Sequence, residues 1–250
     1  MKYYVPDYYA QFRCIADRCR HSCCIGWEID IDEHTLEKYK MLDCPYGSAI
    51  RDSISMKETP HFQLAEGDRC PHLDERGLCK MILNVGEDYL CDICREHPRF
   101  YNFTSVAEVG VGMSCPEAAR LILSSPGYAA MESVGELDAA PDDVLFDGRA
   151  ERTKVYDIFQ ENDYTDALSQ IYHTYSIDVG EDNQWLKIID SLEYLNAEHK
   201  QLFMQYSSKL RPEGKDEYLK RFLAYFIYRH CTEAIDEDDF AVRLAFCLFC

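Results

Sequence analysis

Ten of the thirteen cysteines of this 250-residue chain lie before Pro116, and nine of those ten sit at close, ligand-like spacings. They read Cys14-x4-Cys19-x3-Cys23-Cys24, then Cys70-x8-Cys79, Cys91-x2-Cys94 and Cys115. Thiols bunched in this way hold a metal ion, an iron–sulfur cluster or a set of disulfides. The chain opens MKYYVPDYYAQFRC, without the apolar run of a signal peptide, and carries an odd number of cysteines. Both features point to a cytoplasmic protein with reduced thiols, and so to metal rather than disulfides. The first half of the chain is therefore expected to be an irregular metal-binding part.

Cys91-x2-Cys94 lets two thiolates meet one metal from a single tight turn. Cys19-x3-Cys23 offers two more from successive turns. Adjacent Cys23 and Cys24 point in different directions, which fits two sites, a cluster lying between them, or one cysteine that only packs. Zinc needs four thiolates and an iron–sulfur cluster takes the same ligands, so spacing leaves both open. His21, His72 and His97 lie close enough to replace a cysteine, or else serve as loop or supporting residues. Cys44, Cys231, Cys247 and Cys250 fall outside the spaced set and read as packing residues.

Lys and Arg number 26 against 45 Asp and Glu, a formal net charge of −19. That field repels phosphate backbones and anionic lipid, which excludes nucleic acid and membrane surfaces as partners and suits a basic protein surface. No stretch approaches the roughly 18 apolar residues of a membrane span.

Three regions follow from the pattern. Residues 1–123 form the cysteine-rich metal-binding domain. In it, Glu28–Asp32 alternates like a strand, and Thr35–Leu42 reads as a helix opened by Asp32 and stopped at Cys44–Gly47. The runs His61–Leu64 and Lys80–Leu83 read as strands around the turn Asp74–Gly77, and Pro116–Leu123 as a helix. Residues 124–148 are rich in Pro, Gly, Ser and acid and read as a linker or surface loop. Residues 149–250 are helical: Val155-Ile158-Phe159, Leu168-Ile171-Tyr172, Leu186-Ile189-Leu192 and Leu219-Phe222-Leu223-Phe226 keep the i, i+3, i+4 rule. Asp236–Asp239 reads as an N-terminal helix cap. The final FAVRLAFCLFC ends on an apolar helical face without a cap, as in a truncated chain. The expected class is mainly α, an irregular cysteine-rich part followed by a helical part.

Taken together these residues resemble the flagellin lysine-N-methylase family, within a wider group of cysteine-rich zinc- or iron-chelating proteins. The resemblance runs through Tyr8-Tyr9, Phe12-x-Cys14, Cys19, Cys23-Cys24-x-Gly26-Trp27 and Ile29-x-Ile31-Asp32. It continues through Cys70-Pro71-x-Leu73, Gly77-Leu78-Cys79, Leu90-Cys91-x2-Cys94, His97-Pro98-Arg99 and Cys115-Pro116-Glu117. It implies methyl transfer from S-adenosylmethionine to flagellin lysines, with a zinc site or an iron–sulfur cluster of the 4Fe–4S type in the cysteine-rich half. The metal ligands would come from Cys14, Cys19, Cys23, Cys24, Cys70, Cys79, Cys91, Cys94 and Cys115; no catalytic or donor-binding residue is singled out. Two features depart from methyl-donor enzymes of other kinds. Gly110-x-Gly112 is too short for a Gly-rich adenosylmethionine loop, and Gly26 stands where a radical adenosylmethionine triplet, begun by Cys19-x3-Cys23, would need its third cysteine. The rival expectation is a non-catalytic zinc- or iron-binding or redox-sensing cluster protein.

Overall fold

A computed structural model of the protein describes residues 1–128, 130–138, 146–178, 187–188, 190–194, 198, 200–201 and 214–249. Of the described residues helix accounts for about 49% and strand for 14%, so the mainly α class holds, with a sheet that periodicity did not announce. The chain forms two compact units: Phe12–Phe100 with Val111–Ala119, and Met1–Gln11 with Tyr101–Gly110 and Arg120–Cys250. All nine spaced cysteines belong to the first.

In that cysteine-rich unit, helix α1 (Glu33–Met41) begins where the Asp32 carboxylate accepts from the Thr35 amide at 2.8 Å, satisfying one of the donors a helix start leaves open. Thr35, Leu36 and Tyr39 form its buried face. Cys44 and Pro45 then stop one helix and start the next, α2 (Pro45–Asp52), with proline in the first turn, where its missing N–H costs nothing. Strands β2 (Ile54–Ser55) and β3 (His61–Phe62) pair antiparallel. Glu28–Asp32, expected as a strand, runs extended beside β3 with only one bridge, Asp30 to His61. The alternation was right about the face, since Ile29 and Ile31 are buried, but the pairing is too short to make a ladder.

Lys80–Leu83 is a second correction. Expected as a strand, it is the start of helix α3 (Lys80–Val85). Ile82 favours strand, but Met81 and Leu83 carry no strong strand preference, and Gly86 at φ 95° closes the helix, its amide reaching the carbonyls of Met81 and Ile82 at 3.2 Å. That backbone angle favours glycine. The turn expected at Asp74–Gly77 is present, with the Gly77 amide on Asp74 O at 3.1 Å. Helix α4 (Asp92–Glu96) completes the unit's named helices among the described residues.

The second unit carries most of a four-stranded sheet. Its strands are β1 (Lys2–Pro6), β4 (Arg99–Phe103), β5 (Ala107–Val111) and β6 (Met131–Glu136), in the order β4-β5-β1-β6. β1 is parallel to β5, with Tyr3 opposite Ala107, and antiparallel to β6. The stretch 124–148, read as a linker or loop, thus holds a sheet strand; residues 139–145 of it lie outside the described residues. Helix α5 is Pro116–Ser124. Helices α6 (Gly148–Glu161), α7 (Tyr164–Thr174), α8 (Asp216–Cys231) and α9 (Glu237–Phe249) match the expected periodic segments. Asp163 caps α7 through Thr165 N and Asp166 N, and Asp236 receives the Asp239 amide at 2.7 Å. Val155, Phe159, Ile171, Ile227, Phe240 and Leu244 meet in one core. The helix expected around Leu186-Ile189-Leu192 falls largely outside the described residues, as do His199 and Cys250. No helix among the described residues is long and apolar enough to cross a membrane.

Candidate metal centre

Three backbone devices bring distant cysteines of the first unit together. The Cys70 amide donates to Cys24 O at 2.8 Å and the Gly26 amide to Asp68 O at 3.0 Å, so the Cys23–Cys24 turn lies against Cys70. A tight loop then returns Cys79 to the same place. Asp74 Oδ1 accepts from Arg76 N and Leu78 N, both at 2.8 Å, Leu73 bridges Cys79, and the Lys80 amide reaches His72 O at 2.7 Å. Cys91 is the N-cap of α4, and Cys94 in its first turn donates its amide to Cys91 O at 3.0 Å. The second oxygen of Asp32 fixes that turn, accepting from Asp92 N at 2.8 Å. Asp32 therefore holds both the start of α1 and the Cys91–Cys94 turn, a double role that its capping spacing did not reveal.

The outcome is a nest in which Cys24, Cys70, Cys79, Cys91 and Cys94 share one cluster with Ile29, Leu36, Tyr39, Phe62 and Met81. Cys70 and Cys91 are buried, the other three half-buried. Burial pushes the Cys70 thiol up to about 11, with the neighbouring Cys79 and Cys91 thiols adding to it. Cys91 is held low by the hydrogen bond from Cys94, which is itself pushed far up. Cys24 is held low by Cys23 in the same way, and Cys23 is raised. In each close pair, then, one thiol is held lower and its partner higher by the hydrogen bond between them.

Cys14, Cys19 and Cys115 do not join this nest. Cys115 is raised by burial, lowered by the amides of Ala118 and Glu117 on its sulfur, and raised again by the Cys19 and Cys14 thiols. Cys14 is exposed and accepts from the Ala16 amide at 3.4 Å. Of the histidines considered as ligands, His72 is buried with both ring nitrogens engaged, by Tyr46 Oη at 2.8 Å and Ser53 Oγ at 3.0 Å. It supports the nest and has no nitrogen to spare. His97 lies against Trp27, ring centroids 5.8 Å apart, and His21 is exposed. Trp27 itself donates to Cys23 O at 2.6 Å. Cys44 caps the start of α2, while Cys231 and Cys247 sit 3.9 Å apart in the helical core, as packing residues do.

Among the described residues, no three His, Cys, Asp or Glu side chains stand around a common point as metal ligands do. The donors of the nest are nonetheless right in kind for zinc or an iron–sulfur cluster: five soft thiols from four chain segments, walled by apolar side chains. Binding would exchange the S–H···S bonds for sulfur–metal bonds and release protons.

Fold and site together define a cysteine-rich thiol-centre unit joined in one chain to a unit of helices and a small sheet. No family model and no solved structure gives a significant match. Curated proteins do. A lysine-N-methylase of Salmonella typhimurium is 30% identical over 135 residues, 50% of this chain and 33% of the relative, and that of Salmonella choleraesuis matches to the same extent. The flagellar biosynthetic protein FliU of Salmonella muenchen is 29% identical over 135 residues, 50% of this chain and 79% of its own. The match spans a third of the length of the two lysine-N-methylases. Over half its length, then, the chain is similar to proteins named lysine-N-methylase and to FliU.

Proposed function

We propose that this protein is a lysine N-methyltransferase that moves methyl groups from S-adenosylmethionine to flagellin lysines, and that the thiol nest is its metal or iron–sulfur centre. The similarity to proteins named lysine-N-methylase carries the reading. In the reaction, the lone pair of an uncharged lysine amine forms a bond to the sulfonium methyl carbon. The carbon–sulfur bonding pair returns to sulfur, leaving a thioether, and a proton leaves the new ammonium for water. The protein must strip the amine of water and proton and align it with the donor. An acidic chain of net charge −19 draws a lysine-bearing surface toward it. Cys24, Cys70, Cys79, Cys91 and Cys94 would hold the centre, and Asp32 and His72 would fix the segments bearing them. Bound there, zinc would clamp those segments together, and an iron–sulfur cluster would add one-electron chemistry.

The test is incubation of oxygen-free protein with flagellin and methyl-labelled S-adenosylmethionine. Label on flagellin lysines is the expected result; neither transfer nor donor binding would sink the proposal. The hydrogen-bonded thiol pairs Cys23–Cys24 and Cys91–Cys94 favour a second reading, a redox-sensing thiolate module without catalysis. Reversible bleaching on reduction, with no affinity for the methyl donor, is its signature.

A further inference from the structure

Within the second unit, the chain leaving β1 and the chain leaving α5 enclose a cavity of about 120 Å³, lined by Asp7, Tyr8, Gln11, Leu121, Ser124, Ser125 and Pro126. Tyr8, Leu121 and Ser125 are buried, while Gln11, Ser124 and Pro126 lie exposed. It is thus a recess with a solvent-facing rim. At about 30 Å³ per water molecule it has room for a few waters, or for the end of an aminoalkyl chain.

The polar groups of the recess favour a cation. The Asp7 carboxylate is half-buried and receives the Ser125 hydroxyl at 2.9 and 3.0 Å, and no Lys or Arg among the described residues pairs with it. Ser124 and Leu121 belong to the last turn of α5, where a helix directs carbonyl oxygens and the negative end of its dipole. Arg221 already occupies one of those carbonyls, Leu123 O, at 3.0 Å, so this end of the helix draws positive charge. Tyr8, only 2% exposed, lines the recess on its buried side.

We propose that this recess binds a primary ammonium, with Asp7 as its counter-ion, and that the natural occupant is the end of a lysine side chain of the protein substrate. The identity of the occupant rests on the methyltransferase reading; the ammonium site does not. Lysine suits the recess because four methylenes follow the rim inward while the charged head meets the carboxylate, which docks it before its proton leaves to water and frees the amine lone pair for transfer.

Binding of n-butylammonium to the full chain, followed by calorimetry or ligand-observed NMR without any methyl donor, tests the site, with n-butanol as neutral control. Wild-type protein should bind the amine more tightly than the alcohol. Asp7→Asn keeps an oxygen acceptor for Ser125 and removes only the charge, so it should weaken amine binding about tenfold or more and leave the alcohol unaffected. Amine binding no tighter than alcohol, or unchanged by Asp7→Asn, overturns the site. If methyl transfer occurs and Asp7→Asn leaves KM for the lysine substrate unchanged, the lysine assignment falls while the proposed activity stands. Absent methyl transfer with charge-dependent amine binding has the opposite meaning: the ammonium site stands and the activity falls.

Discussion

Replacing Glu108 by Gln should be among the most damaging single changes in the helical unit. Glu108 lies on β5 at 1% exposure, and Arg152 of α6 meets it through two parallel bonds, Nη1 to Oε2 at 2.8 Å and Nη2 to Oε1 at 2.7 Å. Nη1 also donates to Thr232 Oγ1 at 2.6 Å, and the guanidinium lies 5.1 Å from the centre of the Tyr228 ring. Burial alone would push the guanidinium down; the bonds and charge of Glu108 outweigh it and hold it up. Glu108→Gln leaves that cation 3% exposed without a counter-ion. Removing one partner of a buried pair costs about 3–5 kcal/mol. At about 2–4 °C per kcal/mol for a chain of this size, Tm should fall by about 6–20 °C. Thermal unfolding followed by helical circular dichroism reads it. The double variant Glu108→Gln, Arg152→Met removes the stranded charge and should be more stable than Glu108→Gln alone. A shift within about 2 °C for the single variant, or a double variant that is worse still, would refute the reasoning.

Three further outcomes are expected. Cys70→Ser and Cys91→Ser should each lower the zinc or iron bound per chain purified without oxygen, whereas Cys44→Ser should not, as metal and sulfide analysis will show. Gly148→Ala would place its Cβ 2.8 Å from Cys231 O and 3.0 Å from Thr232 O, two rigid backbone atoms, and should cost about 1–3 kcal/mol in denaturant unfolding. Glu217 is held below its usual range by the Lys220 ammonium and the Tyr128 hydroxyl. Its contribution is therefore present above the ordinary glutamate range and is lost as pH falls through its lowered folded value. Glu217→Gln should cost less than about 1 kcal/mol at neutral pH, since the side chain is half exposed, and nothing in acid, measured as a pH series of unfolding midpoints.

Helices with a full apolar stripe and a capping residue could be read directly from the chain. Asp32-x2-Thr35 marked the start of α1, and Val155-Ile158-Phe159 and Leu219-Phe222-Leu223 marked faces that are buried. The sheet could not, because its information is non-local. KYYVP has no alternation of its own and becomes a strand only because residues 107–108 and 131–136 come to lie on either side of it. Lys80–Leu83 was misread because three consecutive apolar residues have no period, and only the Gly86 turn decided for helix. For the thiols, spacing identified the Cys91–Cys94 turn. It could not separate the five of the nest from Cys14, Cys19, Cys23 and Cys115, since that division depends on the Cys24–Cys70 backbone contact and the return of the chain at Asp74–Gly77.

The position of β1 in the interior of the sheet orders events during synthesis. The strand is made before both of its neighbours, which arrive only with residues 107–111 and 131–136. Until then Phe12–Phe100 is all that can organise itself, and closing so long a loop in an unfolded chain carries its full entropic penalty. If that insert is folded first, it draws in most of the intervening chain and lightens the closure. Conditions that delay assembly of the cysteine-rich insert would therefore leave β1 waiting, with its edge unpaired, and show up as aggregation of newly made chains rather than as lower stability of the finished protein.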